Sequence, residues 1–397
     1  MQIRPSRSSS PHTLSTPKGI AHAAFALTGL TTVMLGPLLP VLSARWSLSD
    51  TQAGYLVTAQ FVGSLLSTLS TGLLLPGIKF RWTMVLGLLF MTGGCTILVA
   101  HTYRWGLVAV FCNGLGNGLT VPTGNLLVAR ATSERSSSSL NLLNFSWSAG
   151  AVACPFLLAT FLDTGRINAF LLIVTGSLVL LIAILLTAPV AMPGPGREPG
   201  STTKQPRLQY LMTPSAAVLG ALFFVYVGTE NALGTWLASF AKRITNASGA
   251  GWITVPSYFY GALLIGRATA PLSLRRISDR TQVRLGAVLA GAGVAALLYS
   301  RTLLSIAACA LLVGFGLSTL YPIAIGLVSS IFGAEASRIA GSLFALSTLG
   351  GATFPWLVGF VSTQFGSLRT ALLVPLAGCL IMTWLFWNPQ LGERLAD

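Results

Sequence analysis

Glu230 is the side chain whose type and position most clearly suggest chemistry. The 397 residues include nine Asp and Glu, and Glu230 lies deep within the apolar run from Leu219 to Phe240. A carboxylate near the middle of a bilayer costs roughly 3 kcal/mol, so such residues commonly mark an ion, proton or substrate pathway. Two interpretations stay open: Glu230 binds a proton or a substrate hydroxyl in a central cavity, or it is a structural residue paired with Arg267 or with backbone donors.

A second group of polar side chains recurs along one side of a predicted helix. Asn141, Asn144 and Trp147 follow one another at intervals of three residues and lead to Gly150. Asparagine within lipid must find hydrogen-bond partners, so this stripe faces either a cavity or another helix. An amide supplies donors and an acceptor, and an indole supplies a flat apolar face. A sugar ring needs both, and interhelical hydrogen bonding is the alternative.

Further candidates lie in other apolar runs. Tyr226 precedes Glu230 by one helical turn and therefore shares its face. Arg267 follows Gly266 near the end of its run, where it either extends its charge toward the membrane surface or takes part in a gate. The predicted substrate-binding set, beyond the stripe, is Asn231, Trp236, Gln60, Asn117 and Tyr226, and the predicted gating pair is Arg267 and Asp279.

Composition places the chain in a membrane. It is 53% hydrophobic and 8% charged, with a mean hydropathy of +0.74, whereas soluble domains carry about 25% charged residues. The net charge of +15 lies in short clusters between apolar runs, a pattern typical of membrane topology and not of nucleic-acid binding. The five cysteines lie in apolar runs without ligand spacing. We therefore predict no metal, cofactor or nucleic-acid partner.

Apolar windows of about 20 residues predict an all-α membrane protein. Lys and Arg concentrate on the side of the N-terminus, which predicts that both termini are cytoplasmic and that the protein spans the inner (plasma) membrane as a monomer. The twelve predicted spans are 19–43, 50–76, 82–101, 105–130, 137–163, 167–188, 214–241, 250–274, 281–300, 303–330, 335–363 and 368–388.

The two halves of the sequence repeat. Gly114-x-Gly116-x5-Pro122 recurs as Gly314-x-Gly316-x5-Pro322, and Gly150-x4-Pro155 recurs as Gly350-x4-Pro355, both at an offset of 200 residues. The repeat predicts two pseudo-symmetric six-helix bundles, the plan of the major facilitator superfamily. The predicted organisation is a disordered N-terminus (1–18), a first bundle (19–188), a cytoplasmic linker (189–213), a second bundle (214–390) and a tail (391–397).

The segment Tyr226-Val-Gly-Thr-Glu230-Asn-Ala-Leu-Gly-Thr-Trp236 resembles the seventh helix of one branch of that superfamily, the fucose/galactose/glucose–proton symporters with their MFSD4-like and bypass-of-stop-codon-6-like relatives. Gly150-Ala-x3-Pro155, Gly261-x4-Gly266-Arg267 and Gly350-Gly-Ala-Thr-Phe-Pro355-Trp356 fit the same branch. The resemblance implies sugar transport by alternating access. Two features depart from it: Pro76 replaces the usual aspartate after the second span, and the acidic residues of the fucose permease's first and fourth helices have no counterpart.

The sequence therefore predicts a secondary transporter for a small neutral solute, with a sugar favoured and proton coupling assigned to Glu230. A drug or metabolite exporter of the same superfamily is the nearest alternative. A membrane sensor or a membrane enzyme is the alternative from a different class. An enzyme would need a second catalytic group beside Glu230, and no hydrolase or nucleotide-binding motif occurs in the sequence.

Overall fold

The computed structural model describes residues 16–74, 80–99, 102–131, 136–187, 213–245, 249–273 and 277–387. The predicted linker, apart from Thr213, and nearly all of both predicted tails lie outside these ranges. All regular structure within them is helical, which confirms the all-α prediction. The α-helices are α1 (Thr16–Val33), α2 (Leu35–Trp46), α3 (Asp50–Leu74), α4 (Phe80–Leu98), α5 (Tyr103–Ala131), α6 (Ser136–Asp163), α7 (Ile167–Thr187), α8 (Pro214–Thr245), α9 (Val255–Ser273), α10 (Asp279–Leu297), α11 (Leu303–Leu317), α12 (Leu320–Phe332), α13 (Ala336–Phe365), α14 (Leu368–Ala371) and α15 (Leu373–Trp387).

Each of the twelve predicted spans contains one helix or one interrupted helix. Seven helical segments of the described chain are long and apolar enough to cross a bilayer, and the pair α1–α2, bent by 40°, would make an eighth. The interruptions have identifiable causes. Pro37 cannot donate a backbone hydrogen bond to Val33, where α1 ends, and Pro322 cannot donate one to Ser318, which separates α11 from α12.

The sequence repeat is also a repeat of helix contacts. A methyl group at Gly150 in α6 would collide with the backbone oxygen of Ala26 in α1, and one at Gly350 in α13 would collide with that of Phe224 in α8. Gly114 of α5 and Gly314 of α11 likewise lie against the backbones of α3 and α9. Small residues at such crossings let membrane helices approach closely. The first half (α1–α7) and the second half (α8–α15) are therefore assembled by equivalent contacts.

The two halves also contact each other through equivalent hydrogen bonds. The Thr58 hydroxyl of α3 donates to the backbone oxygen of Ala352 in α13 at 2.9 Å. The Ser257 hydroxyl of α9 donates to the backbone oxygen of Val152 in α6 at 2.8 Å. Both acceptors lie three residues before a proline, Pro155 or Pro355. A buried hydroxyl that bonds across an interface avoids the cost of an unpaired polar group.

The halves meet on one side of the molecule. We call the side where α7 ends at Thr187 and α8 begins at Pro214 the linker face, and the opposite side the far face. Hydrogen bonds, ion pairs and ring contacts between the halves, as far as the described residues show them, lie toward the far face. Near the linker face, the second half instead contains a hollow of about 350 Å³ beside Phe223, Leu343 and Phe344. The structure is therefore closed at its far face.

Candidate functional site

The central feature of the site is an ion pair between two helices of the second half. Glu230 lies in the middle of α8, and Arg267 lies in α9. The Arg267 Nη2 atom is 3.5 Å from the Glu230 Oε1 atom, with 30% and 15% of the respective side chains exposed. A direct charge-assisted hydrogen bond is commonly about 2.7–2.9 Å long. The guanidinium therefore compensates the carboxylate's charge while leaving room for another partner on its oxygens.

Arg267 is held in place by an aromatic layer behind it. Its Nη2 atom donates to the Tyr226 hydroxyl at 3.3 Å, and that hydroxyl donates to the backbone oxygen of Leu317 at 3.1 Å. Leu317 is the last residue of α11, so its oxygen has no partner one turn ahead in a continuous helix. Tyr226 stacks on Tyr321, with ring centroids 5.3 Å apart. The Nε atom of Arg267 is buried without a hydrogen-bond partner among the described residues, so the site retains one unused donor.

The ion pair faces a small cavity between the two halves. The second half contributes Glu230, Tyr260, Leu263 and Arg267, and the first half contributes Trp147, Ser148 and Ala151 of α6. The cavity measures about 10 Å³, which is room for roughly one water molecule. One wall therefore carries charge and hydroxyl groups, and the other presents an indole. In this closed arrangement, admission of a larger molecule requires the halves to move apart.

Comparison with known proteins assigns the family. A family model described as the Major Facilitator Superfamily matches residues 21–333.

The chain belongs to the major facilitator superfamily.

The chain is similar to sugar transporters across most of its length. A glucose/galactose transporter of Brucella abortus biovar 1 (strain 9-941) is 26% identical over 374 residues, which is 89% of each chain. The crystal structure of a D-xylose-proton symporter superposes with a TM-score of 0.78 at 12% identity, covering 94% of this chain and 97% of that one. A crystal structure of the E. coli fucose:proton symporter superposes with a TM-score of 0.62 at 18% identity, covering 94% and 98%.

These findings confirm the predicted superfamily and the similarity to glucose/galactose transporters, and the fucose symporter shares the fold. This superfamily member is a multi-pass membrane transporter and not an enzyme. The alternative of a membrane enzyme is thereby set aside.

The structure brings together three of the predicted site residues of this superfamily member. Glu230, Trp147 and Arg267 line the same cavity, although they come from three separate helices. Arg267, predicted for gating, lies beside Glu230, the pairing given above as the structural alternative for Glu230. Tyr226 was predicted to bind substrate and is 2% exposed, with its hydroxyl engaged by Leu317 and Arg267. Its place is behind the ion pair and not at the cavity wall.

Other predicted binding residues make hydrogen bonds within the helix packing, which removes them from the cavity. Trp236 is 1% exposed and donates from Nε1 to the backbone oxygen of Pro355 at 2.8 Å. Gln60 is 4% exposed and donates to the backbone oxygen of Thr32 at 3.0 Å. Asn231 donates to Val227 of its own helix at 2.8 Å. Gln60 and Trp236 are covered by neighbouring helices, whereas Asn231 is half-buried.

The remaining predicted residues lie away from the ion pair. Asn141 and Asn144 are exposed near the beginning of α6, toward the linker face, and Asn144 donates to the backbone oxygen of Leu140 at 2.9 Å. Asn117 is half-buried within α5. Asp279 is exposed in the first turn of α10. None of these four side chains lines the cavity that holds Glu230.

Sequence reasoning missed Asp50, which joins the two halves at the far face. Its side chain accepts from Arg243 of α8 at 2.7 and 2.5 Å, and from the Ser362 hydroxyl of α13 at 2.5 Å. We call Asp50, Arg243 and Ser362 the far-face latch. An aspartate in the first turn of a helix is ordinarily explained by the helix dipole alone. Nothing in the local sequence therefore indicated its partners.

Proposed function

We propose that this superfamily member transports a small neutral polyhydroxylated solute, a hexose, together with a proton, by alternating access. The observation that carries the proposal is the Glu230–Arg267 pair at the wall of a cavity between the halves, opposite Trp147. Carboxylate, guanidinium and indole are groups that can accept from, donate to and pack against a sugar ring. The sugars named for its relatives support the same class of substrate.

We infer proton coupling from the long separation of the Glu230 and Arg267 side chains, 3.5 Å between the nearest charged atoms. Removing the charge of Glu230 alone would leave the partly buried charge of Arg267 without its counterion, which is costly in a low-dielectric site. A proton on Glu230 is therefore favoured only when Arg267 gains another acceptor, and a sugar hydroxyl is one. Proton and solute would then bind together, as symport requires. Each would also stabilise the other's binding, because such coupling is reciprocal.

The direction of access depends on how the protein lies in the membrane. We propose that the linker face is cytoplasmic, that both termini are cytoplasmic, and that the protein works as a monomer in the inner (plasma) membrane. The excess of Lys and Arg on that side supports this orientation. The closed far face would then be the outer face, and the structure would represent an inward-directed state.

The test is sugar uptake into proteoliposomes with an imposed pH gradient, outside acidic. We expect radiolabelled D-galactose or D-glucose to accumulate above its external concentration. Glu230→Gln should abolish accumulation but retain exchange of internal for external sugar, since an amide still forms hydrogen bonds. Glu335→Gln removes a carboxylate outside the cavity and serves as the charge control. Undiminished accumulation by Glu230→Gln would refute proton coupling at this residue, and no uptake by the parent protein would refute a hexose substrate.

One observation favours a second candidate, an exporter of amphipathic aromatic solutes. The hollow of about 350 Å³ near the linker face is bordered by Phe223, Val328, Leu343 and Phe344 and is mostly apolar. Apolar, aromatic-lined clefts of this size commonly bind drug-sized ligands. A thermal-shift comparison of hexoses with hydrophobic cations separates the two, because only the true class of ligand should raise the melting temperature in proportion to its concentration.

A further inference from the structure

Tyr260 has a hydroxyl that the surrounding protein does not use. Its side chain is 9% exposed and lines the cavity that contains Glu230. Among the described residues, no partner for this hydroxyl is found within hydrogen-bonding distance. This hydroxyl is not among the fully buried, unpaired polar atoms of the described residues, so it opens onto the cavity. Polar groups of largely buried side chains normally have a partner, and the cavity is where a water or a solute would supply it.

Neighbouring tyrosines are placed differently, and Tyr321, whose hydroxyl also makes no hydrogen bond among the described residues, stacks on Tyr226 and does not line the cavity. The Tyr226 hydroxyl already donates to Leu317 and accepts from Arg267. Tyr258 lies in the same helix as Tyr260, but it is more than one-third exposed and contacts Phe156 edge-on, with ring centroids 5.9 Å apart. Of these tyrosines, Tyr260 is the one that lines the cavity with Glu230.

The position of the Tyr260 hydroxyl is set by a glycine. A methyl group at Gly234 of α8 would collide with the Tyr260 hydroxyl oxygen and lie 2.9 Å from its Cζ atom. Only a glycine at position 234 leaves space for the hydroxyl, and we call this space the notch. Gly234 follows Glu230 by one helical turn, and residues at that spacing lie about 5–6 Å apart on one face. The notch therefore holds the Tyr260 hydroxyl beside the carboxylate.

Gly234 also lies at the contact between the halves. A methyl group at Gly36 of α2 would lie 2.5 Å from the backbone oxygen of Gly234 and 3.1 Å from the Cα atom of Thr235. One residue thus contacts the opposite half on one side and the Tyr260 hydroxyl on the other. Separation of the halves at the far face would therefore change the packing around the Tyr260 hydroxyl.

We propose that Tyr260 is a substrate-binding residue and that Gly234 is the residue that positions it. The inference rests on the proposed function and deepens it by assigning a specific hydrogen bond. A phenol both donates and accepts, so it complements an acceptor at Glu230 and a donor at Arg267. The ligand it fits is a neutral solute with adjacent hydroxyl groups, packed against Trp147 and bonded to Glu230 and Tyr260 on neighbouring carbons.

Uptake kinetics of the full-length protein in proteoliposomes test this assignment. The probes are radiolabelled D-galactose and D-glucose, with the series of monodeoxy sugars as competitors. We expect Tyr260→Phe to raise the KM about tenfold, the typical worth of one hydrogen bond. In the parent protein, one deoxy sugar should compete about tenfold less well than its hydroxylated counterpart. In Tyr260→Phe, the two sugars should compete equally well, because the phenol hydroxyl that bonds to the sugar hydroxyl is absent.

Two matched controls distinguish binding from structural effects. Tyr258→Phe removes a hydroxyl from the same helix and should keep the parent KM and deoxy-sugar profile. Gly234→Ala should raise the KM at least as much as Tyr260→Phe. Gly261→Ala should not, because nothing lies within 4 Å of a methyl group at that position.

An unchanged KM and deoxy-sugar profile in Tyr260→Phe would overturn the inference even if Gly234→Ala fails to fold, while leaving the proposed function intact. If the parent protein takes up none of these sugars, the proposed function fails and the assignment fails with it.

Discussion

The far-face latch should bias the equilibrium between the two access states. Asp50 belongs to the first half, whereas Arg243 and Ser362 belong to the second, so opening of the far face must break the contacts between them. Asp50→Asn keeps the size of the side chain but removes its charge and one acceptor oxygen. We expect this variant to open at the far face more often than the parent protein.

The size of the effect follows from exposure. Hydrogen bonds to charged groups contribute about 1.5–3 kcal/mol, and fully exposed ion pairs contribute about 0.2–1 kcal/mol. The Asp50 side chain is 10% exposed and that of Arg243 is 47% exposed. We therefore expect the Asp50 contacts to stabilise the closed far face by an intermediate amount, about 1.4 kcal/mol. That energy corresponds to a tenfold change in an equilibrium constant. Asp50→Asn should therefore raise the ratio of far-face-open to far-face-closed molecules about tenfold.

Electron–electron distance measurement provides the assay. Spin labels at Thr102 and Arg301, which are exposed near the far face in opposite halves, report the separation in a background without native cysteines. Lys242→Gln is the matched control for Arg243→Gln, because the Lys242 ammonium lies 5.0 Å from the Trp252 ring within its own half. The long-distance population should rise in Asp50→Asn and Arg243→Gln and stay constant in Lys242→Gln.

Two results would refute the reasoning. The first is an unchanged distance distribution in both latch variants, which would mean that the ion pair does not distinguish the states. The second is an effect of Lys242→Gln equal to that of Arg243→Gln, which would indicate a general response to lost positive charge. The double variant Asp50→Asn/Arg243→Gln adds a further check, since residues in direct contact should show non-additive effects.

Two further sets of substitutions test the packing between helices. Gly150→Ala must displace the backbone of Ala26, so we expect it to destabilise the protein by about 1–3 kcal/mol. Gly176→Ala is the control and should leave the melting temperature unchanged, because nothing lies within 4 Å of a methyl group there. Equal melting temperatures for the two variants would contradict the close crossing at Gly150. Thr58→Val and Ser257→Ala should each lower the stability of the protein by only about 0.6 kcal/mol, the average for hydrogen bonds between membrane helices. Because the two bonds are equivalent, both variants should change the transport rate by similar factors. A large effect of one variant alone would contradict that equivalence.

The helices and their repeat could be predicted from the sequence because both depend on local composition. Apolar runs of sufficient length form membrane helices irrespective of their neighbours. The register of Gly114 and Gly150 with Gly314 and Gly350 reflects crossings at which only glycine fits. The interruption near Ser318 was not predicted, because a proline in a membrane helix produces either a kink or a break depending on the surrounding helices.

The candidate site could be predicted only in part. Glu230 was found because a carboxylate in an apolar run is conspicuous wherever the helix lies. Gln60 and Trp236 bond to backbone oxygens of other helices in this closed structure, and no local sequence pattern could indicate those partners. Tyr260 carried little weight for the opposite reason. An aromatic residue in a membrane helix is common, and the importance of this one depends on its contact with Gly234, which is 26 residues away in the sequence.

The positions where the repeat fails explain why one half contains the charges of the site. By the register of the paired helix contacts, Thr32 corresponds to Glu230 and Thr68 corresponds to Arg267. The threonine hydroxyls satisfy themselves within the first half, where Thr32 donates to Thr28 and Thr68 donates to Gly118. A second ion pair facing the first would have to be desolvated each time the halves close, at a large cost. A neutral first half that presents Trp147 avoids this cost.

The same comparison shows why only one closing contact at the far face, among the residues that the structure describes, is ionic. Arg45 corresponds to Arg243, but Gly249 corresponds to Asp50. Arg45 reaches the Asn168 side chain of its own half, at 3.4 Å. On that side, the Ala250 amide donates a hydrogen bond to Asp163 across the halves, at 3.0 Å, and this bond is the counterpart of the one from the Thr51 amide to Thr363 beside the latch. The ion pair at Asp50 is stronger than the single hydrogen bond from the Ala250 amide. The far face should therefore open first on the side of Ala250 and last on the side of Asp50.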